Sequence, residues 1–200
     1  MNTVLIQFGA FNPIHLGHIN NIWRAREYFN NKHLPAYISP VSNEYIEKHK
    51  HDKTSNQRLE MIKLALKPEY EIKLLDYELD KGIVSTITTL KYYYEMFIKK
   101  DKKIVIVMGD DNIPLLKDWV EYENIFKYAS IIFIPRKYIM KMVHIKNTKE
   151  YIELDSYIDT NKPLISSNIS SSSIKQDIDN NKNYLDKDVY DYIIKNNLFK

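Results

Sequence analysis

The chain has 200 residues, 44% of them hydrophobic and 28% charged, with no cysteine and a formal net charge of +3. Such a length suits a single domain able to bury roughly 70% of its unfolded surface without a covalent staple. The composition excludes disulfides, thiolate metal centres and cysteine nucleophiles, and the charge is too mild for a nucleic-acid binder.

No stretch approaches the ~20 apolar residues that span a bilayer. Met1 leads straight into Val4-Leu5-Ile6 without a basic or long apolar leader, so a cytoplasmic protein is expected, with nuclear access left open and neither a membrane nor a nucleic acid as partner. Short β-branched runs alternate with segments of helical period, the pattern of an α/β domain with a parallel sheet. The first strand is Thr3 to Phe8, stopped by Gly9. A helix follows from Gly17 to Tyr28, then a strand from Ala36 to Ser39, ended by Pro40. Ser55 to Leu66 has apolar residues at steps of three and four behind a capping serine, and reads as a helix. Tyr70 to Leu75 is a third strand and Thr86 to Ile98 a helix whose Tyr92, Tyr93 and Tyr94 serve packing. Lys103 to Met108 is near-continuously apolar, as a strand covered on both faces requires, and Ser130 to Ile134 is another of that kind. Between Tyr138 and Leu164 one or two edge strands are expected, including Tyr151 to Leu154. Two short helices, near Ser172–Ile178 and Lys187–Lys195, close a single domain, residues 1–200, with a small helical part at about 170–200.

Two stretches carry chemistry. After the first strand comes Gly9-Ala10-Phe11-Asn12-Pro13-Ile14-His15-Leu16-Gly17-His18, where an open α/β sheet binds its ligands. Gly9 allows a sharp turn or close ligand approach, and Gly17 keeps a side chain away from a helix start whose N–H groups and dipole attract anions. His15 and His18, three apart, point at one volume. Six fixed identities in this string match by chance on the order of 10⁻⁸ per starting position. The second stretch is Asn168-Ile169-Ser170-Ser171-Ser172-Ser173-Ile174-Lys175. Small hydroxyl side chains at a helix start offer donors to a phosphate, and a cation one turn later neutralises charge.

The first stretch resembles the His-x-Gly-His signature of the nucleotidyltransferase superfamily, and its Gly-x-Phe-x-Pro lead-in is similar to the nicotinate and nicotinamide mononucleotide adenylyltransferases. The second resembles their Ile-Ser-Ser-Thr-x-Ile-Arg, with Ser172 in place of Thr and Lys175 in place of Arg; lysine keeps the charge and loses the planar fork. Between them, Ser39-Pro40-Val41-Ser42-Asn43-Glu44-Tyr45 with Lys48, Arg58-Leu59-Glu60-Met61, Thr86 ahead of Thr89-Leu90, Gly109-Asp110-Asp111, Trp119 and Pro135-Arg136 follow the family's order.

The resemblance implies a Rossmann-like doubly wound sheet with helices on both faces, and an adenylyltransferase that joins nicotinate mononucleotide to ATP, releasing pyrophosphate. It implies catalytic roles for His15, His18 and Lys175. ATP would be held by Gly9, Ala10, Phe11, Gly17, Gly109, Asp111, Arg136, Ile169, Ser170, Ser171, Ser172 and Ser173. The pyridine mononucleotide would meet Asn12, Ser42, Tyr45, Lys48, Arg58, Thr86 and Trp119. Mg²⁺ is expected as cofactor, carried mainly by the ATP phosphates, with no metal ligand from the protein. Other acceptors (nicotinamide mononucleotide, phosphopantetheine) and a non-catalytic nucleotide sensor are the alternatives. For Trp119 and Asp111 the competing roles are a core aromatic and a helix cap. Lys48 to Lys53 reads as a solvated loop.

Overall fold

A computed structural model of the chain describes residues 2–50, 55–79, 81–134, 151–152 and 169–199. Among the described residues, six parallel strands form one sheet: β1 (Thr3–Gly9), β2 (Ala36–Pro40), β3 (Ile72–Leu74), β4 (Lys103–Gly109), β5 (Ala129–Ile134) and β6 (Tyr151–Ile152), in the order β3-β2-β1-β4-β5-β6. Seven α-helices accompany them among the described residues: α1 (Leu16–Tyr28), α2 (Asn43–Lys50), α3 (Ser55–Ala65), α4 (Thr86–Ile98), α5 (Tyr122–Ile125), α6 (Ser171–Gln176) and α7 (Lys187–Lys195).

The continuous apolar strands are explained by period-two alternation between two covered faces. Leu5, Val105, Val107 and Ile132 face one way, against Ile19 and Ile22 of α1, Met61 and Ile62 of α3, and Val189 and Ile193 of α7. Val4, Ile6, Ile104, Ile106 and Ile131 face the other, against Ile87, Leu90 and Phe97 of α4 and Ile125 of α5. The chain winds outward from β1 through β2 to β3, crosses back over α4 to β4, and winds outward again through β5. The direction therefore reverses between β1 and β4, and ligands of doubly wound sheets bind at that reversal, beyond the carboxyl ends of the strands. Gly9 and Gly109 end those two strands.

Buried polar pins fix the loops around this frame. Arg26, 1% exposed, donates from Nε to Leu34 O at 3.0 Å, from Nη1 to Tyr70 O at 2.7 Å and from Nη2 to Glu71 O at 2.9 Å, tying α1 to the entries of β2 and β3. Burial lowers the Arg26 pKa and the charge of Glu71 opposes that shift. At the other end, Lys67 pairs with Asp186, at 3.3 Å, and with Asp188, fastening α7 to the end of α3.

Several boundaries differ from expectation. The third strand is only Ile72–Leu74, because Pro68–Tyr70 makes a 3-10 turn and Glu71 sits in the left-handed region at φ +50°. Asn43–Lys50 is a helix, so Lys48 lies in α2 and not in a solvated loop as expected; residues 51–54 lie outside the described residues. Of the expected edge strand, Tyr151 and Ile152 pair with β5. Most of the stretch from Tyr138 to Leu164, and Arg136, lie outside the described residues.

Candidate active site

His15 is the N-cap of α1, in extended conformation at φ −144° and ψ 166°. A histidine has no short hydroxyl or carboxylate arm for this position, and the turn is closed differently. The His15 backbone N–H donates to His18 Nδ1 at 3.1 Å, the reciprocal contact that a Glu or Gln makes in a capping box. With Nδ1 accepting, the neutral His18 ring carries its proton on Nε2, so this nitrogen is a donor by construction. The two imidazoles stack with centroids 3.7 Å apart, and Phe11 meets His18 edge-on at 4.9 Å. His15 is 3% exposed and Phe11 1%.

The glycines of the motif make room for these rings. A Cβ on Gly17 would stand 2.9 Å from His15 Nδ1, 3.0 Å from its Cε1 and 3.3 Å from Ile169 Cγ2. A Cβ on Gly9 would stand 3.1 Å from Phe11 Cζ. Gly9 thus accommodates the side chain of Phe11, whose own backbone turns through φ +49°, and Gly17 accommodates the packed imidazole. No acidic residue occupies the first turn of α1 or of α4, so no carboxylate of these turns offsets the positive ends of the two helix dipoles, which attract anions.

The serine cluster folds onto the same place. Ser171 Oγ donates to the carbonyl of Pro13 at 2.8 Å, a contact between residues 158 apart in the chain. Ser170 caps α6, accepting from Ser173 N at 3.1 Å, while Ser170 N donates to Ser173 Oγ at 3.0 Å. Ile169, 8% exposed, reaches Gly17. Ser172 is exposed. Lys175 Nζ lies 5.0 Å over the ring of Phe199, a cation–π contact on the C-terminal segment.

On the β2 side, Ser42 is buried and its Oγ accepts from Tyr45 N at 3.0 Å, so it caps α2. The Ser42-Asn43-Glu44 sequence was the available signal for that helix. Arg58 of α3, 1% exposed, donates from Nη1 to Ala10 O at 2.9 Å, and from Nη2 to Val41 O at 2.5 Å and to Asn43 Oδ1 at 2.9 Å. It clasps the β1–α1 and β2–α2 loops from beneath. Glu78 is 3% exposed, and burial pushes its carboxyl up to about 7, with the charge of Arg58 acting the other way. Tyr93, on α4, meets Ser39 Oγ through its hydroxyl at 3.2 Å, and burial pushes that phenol up to about 12. Sequence reasoning missed Glu78, since Asp76-Tyr77-Glu78-Leu79-Asp80 reads as a solvated acidic run.

The remaining expected residues take these places. Thr86 opens α4 behind Ser85, whose side chain accepts from Thr88 N. Gly109 ends β4 in the buried layer; Asp111 is exposed, and Asn112 Nδ2 donates to Gly109 O and to Asp111 Oδ1, both at 3.2 Å. Trp119 is half-buried against the core around α4 and α5. Asn12 is buried, Tyr45 half-buried and Lys48 exposed. His15, His18, Gly17 and Ile169 therefore pack together, and Ser171 of α6 is hydrogen-bonded to Pro13 of the same loop. Ala10, Arg58 and Asn43 form an adjoining cluster.

Among the described residues no group of three or more His, Cys, Asp or Glu side chains is arranged to hold a metal ion, and no helix is long and apolar enough to cross a membrane. Comparison with known proteins gives the following. The family model described as cytidylyltransferase-like matches residues 6–177. An Aquifex aeolicus protein named "Probable nicotinate-nucleotide adenylyltransferase" is 35% identical over 149 residues, covering 72% of this chain and 81% of that one. A Clostridium botulinum protein of the same name is 30% identical over 209 residues, covering 96% of each. Plasmodium falciparum nicotinic acid mononucleotide adenylyltransferase complexed with NaAD superposes with a TM-score of 0.74 at 21% identity, over 100% of this chain and 98% of that one.

Proposed function

The chain belongs to the cytidylyltransferase-like family and, within it, to the nicotinate-nucleotide adenylyltransferases, and from that premise we propose that its site condenses nicotinate mononucleotide with ATP to give nicotinate adenine dinucleotide and pyrophosphate. The carrying observation is the Ser171–Pro13 hydrogen bond, which joins the imidazole motif and the serine cluster into one wall at the point where the sheet's winding reverses.

The nucleophile comes from the substrate. A mononucleotide 5′-phosphate has its second pKa near ~6 and is largely dianionic at neutral pH. One of its oxygens attacks the α-phosphorus of ATP, forming the new P–O bond as the bond to the β-phosphate oxygen breaks, and pyrophosphate carries away that electron pair. The chain's task is to bring two anions together in line and to stabilise the charge that develops. His18 donates from Nε2, and the α1 amino terminus adds backbone N–H groups to the ATP phosphates. Ser171, Ser172 and Ser173 hold the leaving pyrophosphate. Lys175 reaches it by leaving the Phe199 ring. Thr86, at the α4 amino terminus, and the segment after Gly109 face the pyridine side, where N–H donors suit the nicotinate carboxylate. Imidazoles, hydroxyls and backbone N–H groups leave a hard cation to phosphate and water oxygens, so magnesium would be carried by the triphosphate, where it supplies charge neutralisation.

Pyrophosphate release with ATP·Mg and either nicotinate or nicotinamide mononucleotide tests the reading. Turnover with the nicotinate substrate, at a higher kcat/KM than with the amide, is expected. No turnover with either substrate overturns it.

A further inference from the structure

Beyond α7 the chain folds back towards α6. Asn196 is the C-cap, Asn197 turns through φ +51°, and the N–H groups of Asn197 and Leu198 donate to the carbonyls of Ile194 and Ile193, at 3.2 and 3.1 Å. This is the paired closure of a Schellman motif, in which the residue after the left-handed turn packs back onto the helix. Leu198 accordingly joins Ile193 in the core. Phe199 follows, itself left-handed at φ +63°, a conformation that a bulky side chain seldom adopts unless its surroundings hold it there. Its half-buried ring packs against the same core, and the Lys175 ammonium lies over it, 5.0 Å from the ring centre.

Both partners of this contact are held at their base. Asn181 Nδ2 donates to the carbonyls of Ser173, at 3.2 Å, and Asp177, at 2.7 Å, fastening the end of α6 to the segment that leads into α7. Tyr190 of α7 donates from its hydroxyl to Asp179 Oδ1 at 2.9 Å. Ile174, next to Lys175, is buried in one cluster with Val189 and Ile193. The ring is therefore presented at a fixed place, while the lysine keeps a flexible four-carbon stem that can swing its ammonium to another partner.

We infer that Phe199 is a positioning residue: its ring docks the Lys175 ammonium in the free protein, the leaving pyrophosphate gains Lys175 only by drawing it off the ring, and the dock thereby weakens the grip on that product. The inference rests on the adenylyltransferase reading above, which assigns Lys175 to the pyrophosphate. A ligand that recruits a docked group binds more weakly by the fraction of time the group is away from the dock. For a cation on an aromatic face that weakening is about two- to fivefold. The site thus holds pyrophosphate less tightly than its charges alone would, and releases it sooner.

Phe199→Leu tests this, since leucine keeps an apolar side chain on the core but has no aromatic face. The readout is the dissociation constant of inorganic pyrophosphate, with magnesium present, measured by calorimetry on variants whose folding is checked by circular dichroism. The constant should fall about two- to fivefold in Phe199→Leu and stay at the wild-type value in Phe199→Tyr, which keeps the ring. A merely structural role predicts the opposite sign, because a loosened α7 end would displace α6 and weaken binding. In a Lys175→Met background the same Phe199→Leu change should leave the constant unmoved, since the dock then has nothing to hold. Phe199→Met, a ring-free side chain that fills irregular gaps, gives the same comparison where leucine disturbs folding. An unchanged or raised constant in the ring-free variants, a fall shared by Phe199→Tyr, or a fall that persists beside Lys175→Met overturns the inference. Failure of the wild-type chain to turn over nicotinate mononucleotide would instead refute the reading on which the inference rests.

Discussion

His18 is a donor because of its own neighbour. The N–H of His15 occupies Nδ1, so the proton of the neutral ring is committed to Nε2, and stacking on His15 at 3.7 Å fixes the plane of the ring. Replacing His18 by alanine removes both the Nε2 donor and the Nδ1 acceptor of the His15 N–H. We expect turnover to fall by on the order of 10²–10³, the scale of losing one preorganised charge-stabilising donor, while circular dichroism and melting show a folded protein. Turnover near the wild-type value would remove His18 from the chemistry. Gly17→Ala tests the same geometry from below. Its added Cβ would stand 2.9 Å from His15 Nδ1, and the buried imidazole has a stacked partner that resists its retreat. Steady-state assays should show turnover reduced about tenfold or more, even though alanine is the better helix former by about 1 kcal/mol. Wild-type turnover in Gly17→Ala would mean that the imidazole stack can shift without consequence.

At the scale of elements, α6 matters more through its attachment than through its length of six residues. Its amino end is held to the Pro13 carbonyl by Ser171 and closed upon itself by Ser170 and Ser173. Ser171→Ala removes the tie and leaves the cap. The lost bond is worth about 1 kcal/mol, so the Michaelis constant for ATP should rise roughly fivefold while that for nicotinate mononucleotide stays put; equal constants for both substrates would detach α6 from the triphosphate. Elements of this kind were legible in the sequence where packing and local pattern agree. The apolar runs of β4 and β5 give two-faced strands, and the helix over Thr86–Ile98 was read to the residue. Helix α2 was hidden because the basic run Lys48 to Lys53 outweighed the Ser42 cap three residues ahead of Tyr45. The third strand was read too long because nothing local announces that Glu71 adopts a left-handed backbone. The two motifs were visible as chemistry, but their contact was not: a hydrogen bond between Ser171 and Pro13 is a product of the whole winding of the chain. Glu78 was illegible for the same reason, since an acidic residue in an acidic segment becomes a buried group only when the fold closes around it.

For the molecule as a whole, Glu78 makes stability depend on pH. An acid whose pKa is higher folded than unfolded binds more protons in the native state, so the stability it contributes is fully present at low pH and is lost as pH rises. Here the window runs from the ordinary value of 4.5 to about 7. A shift of that size corresponds to about 3 kcal/mol at most, or roughly 6–12 °C in melting temperature for a chain of this length. The exposed acids Glu71, Glu121, Asp177 and Asp188 have lowered pKa values and act in the opposite direction at lower pH, but they are unchanged in a Glu78 variant and drop out of a difference. The melting temperature of the wild type minus that of Glu78→Gln should therefore decline between pH 4.5 and pH 7.5 and level off beyond, as the buried carboxyl ionises. A difference that holds constant with pH would mean that Glu78 ionises in the folded chain as it does in the unfolded one.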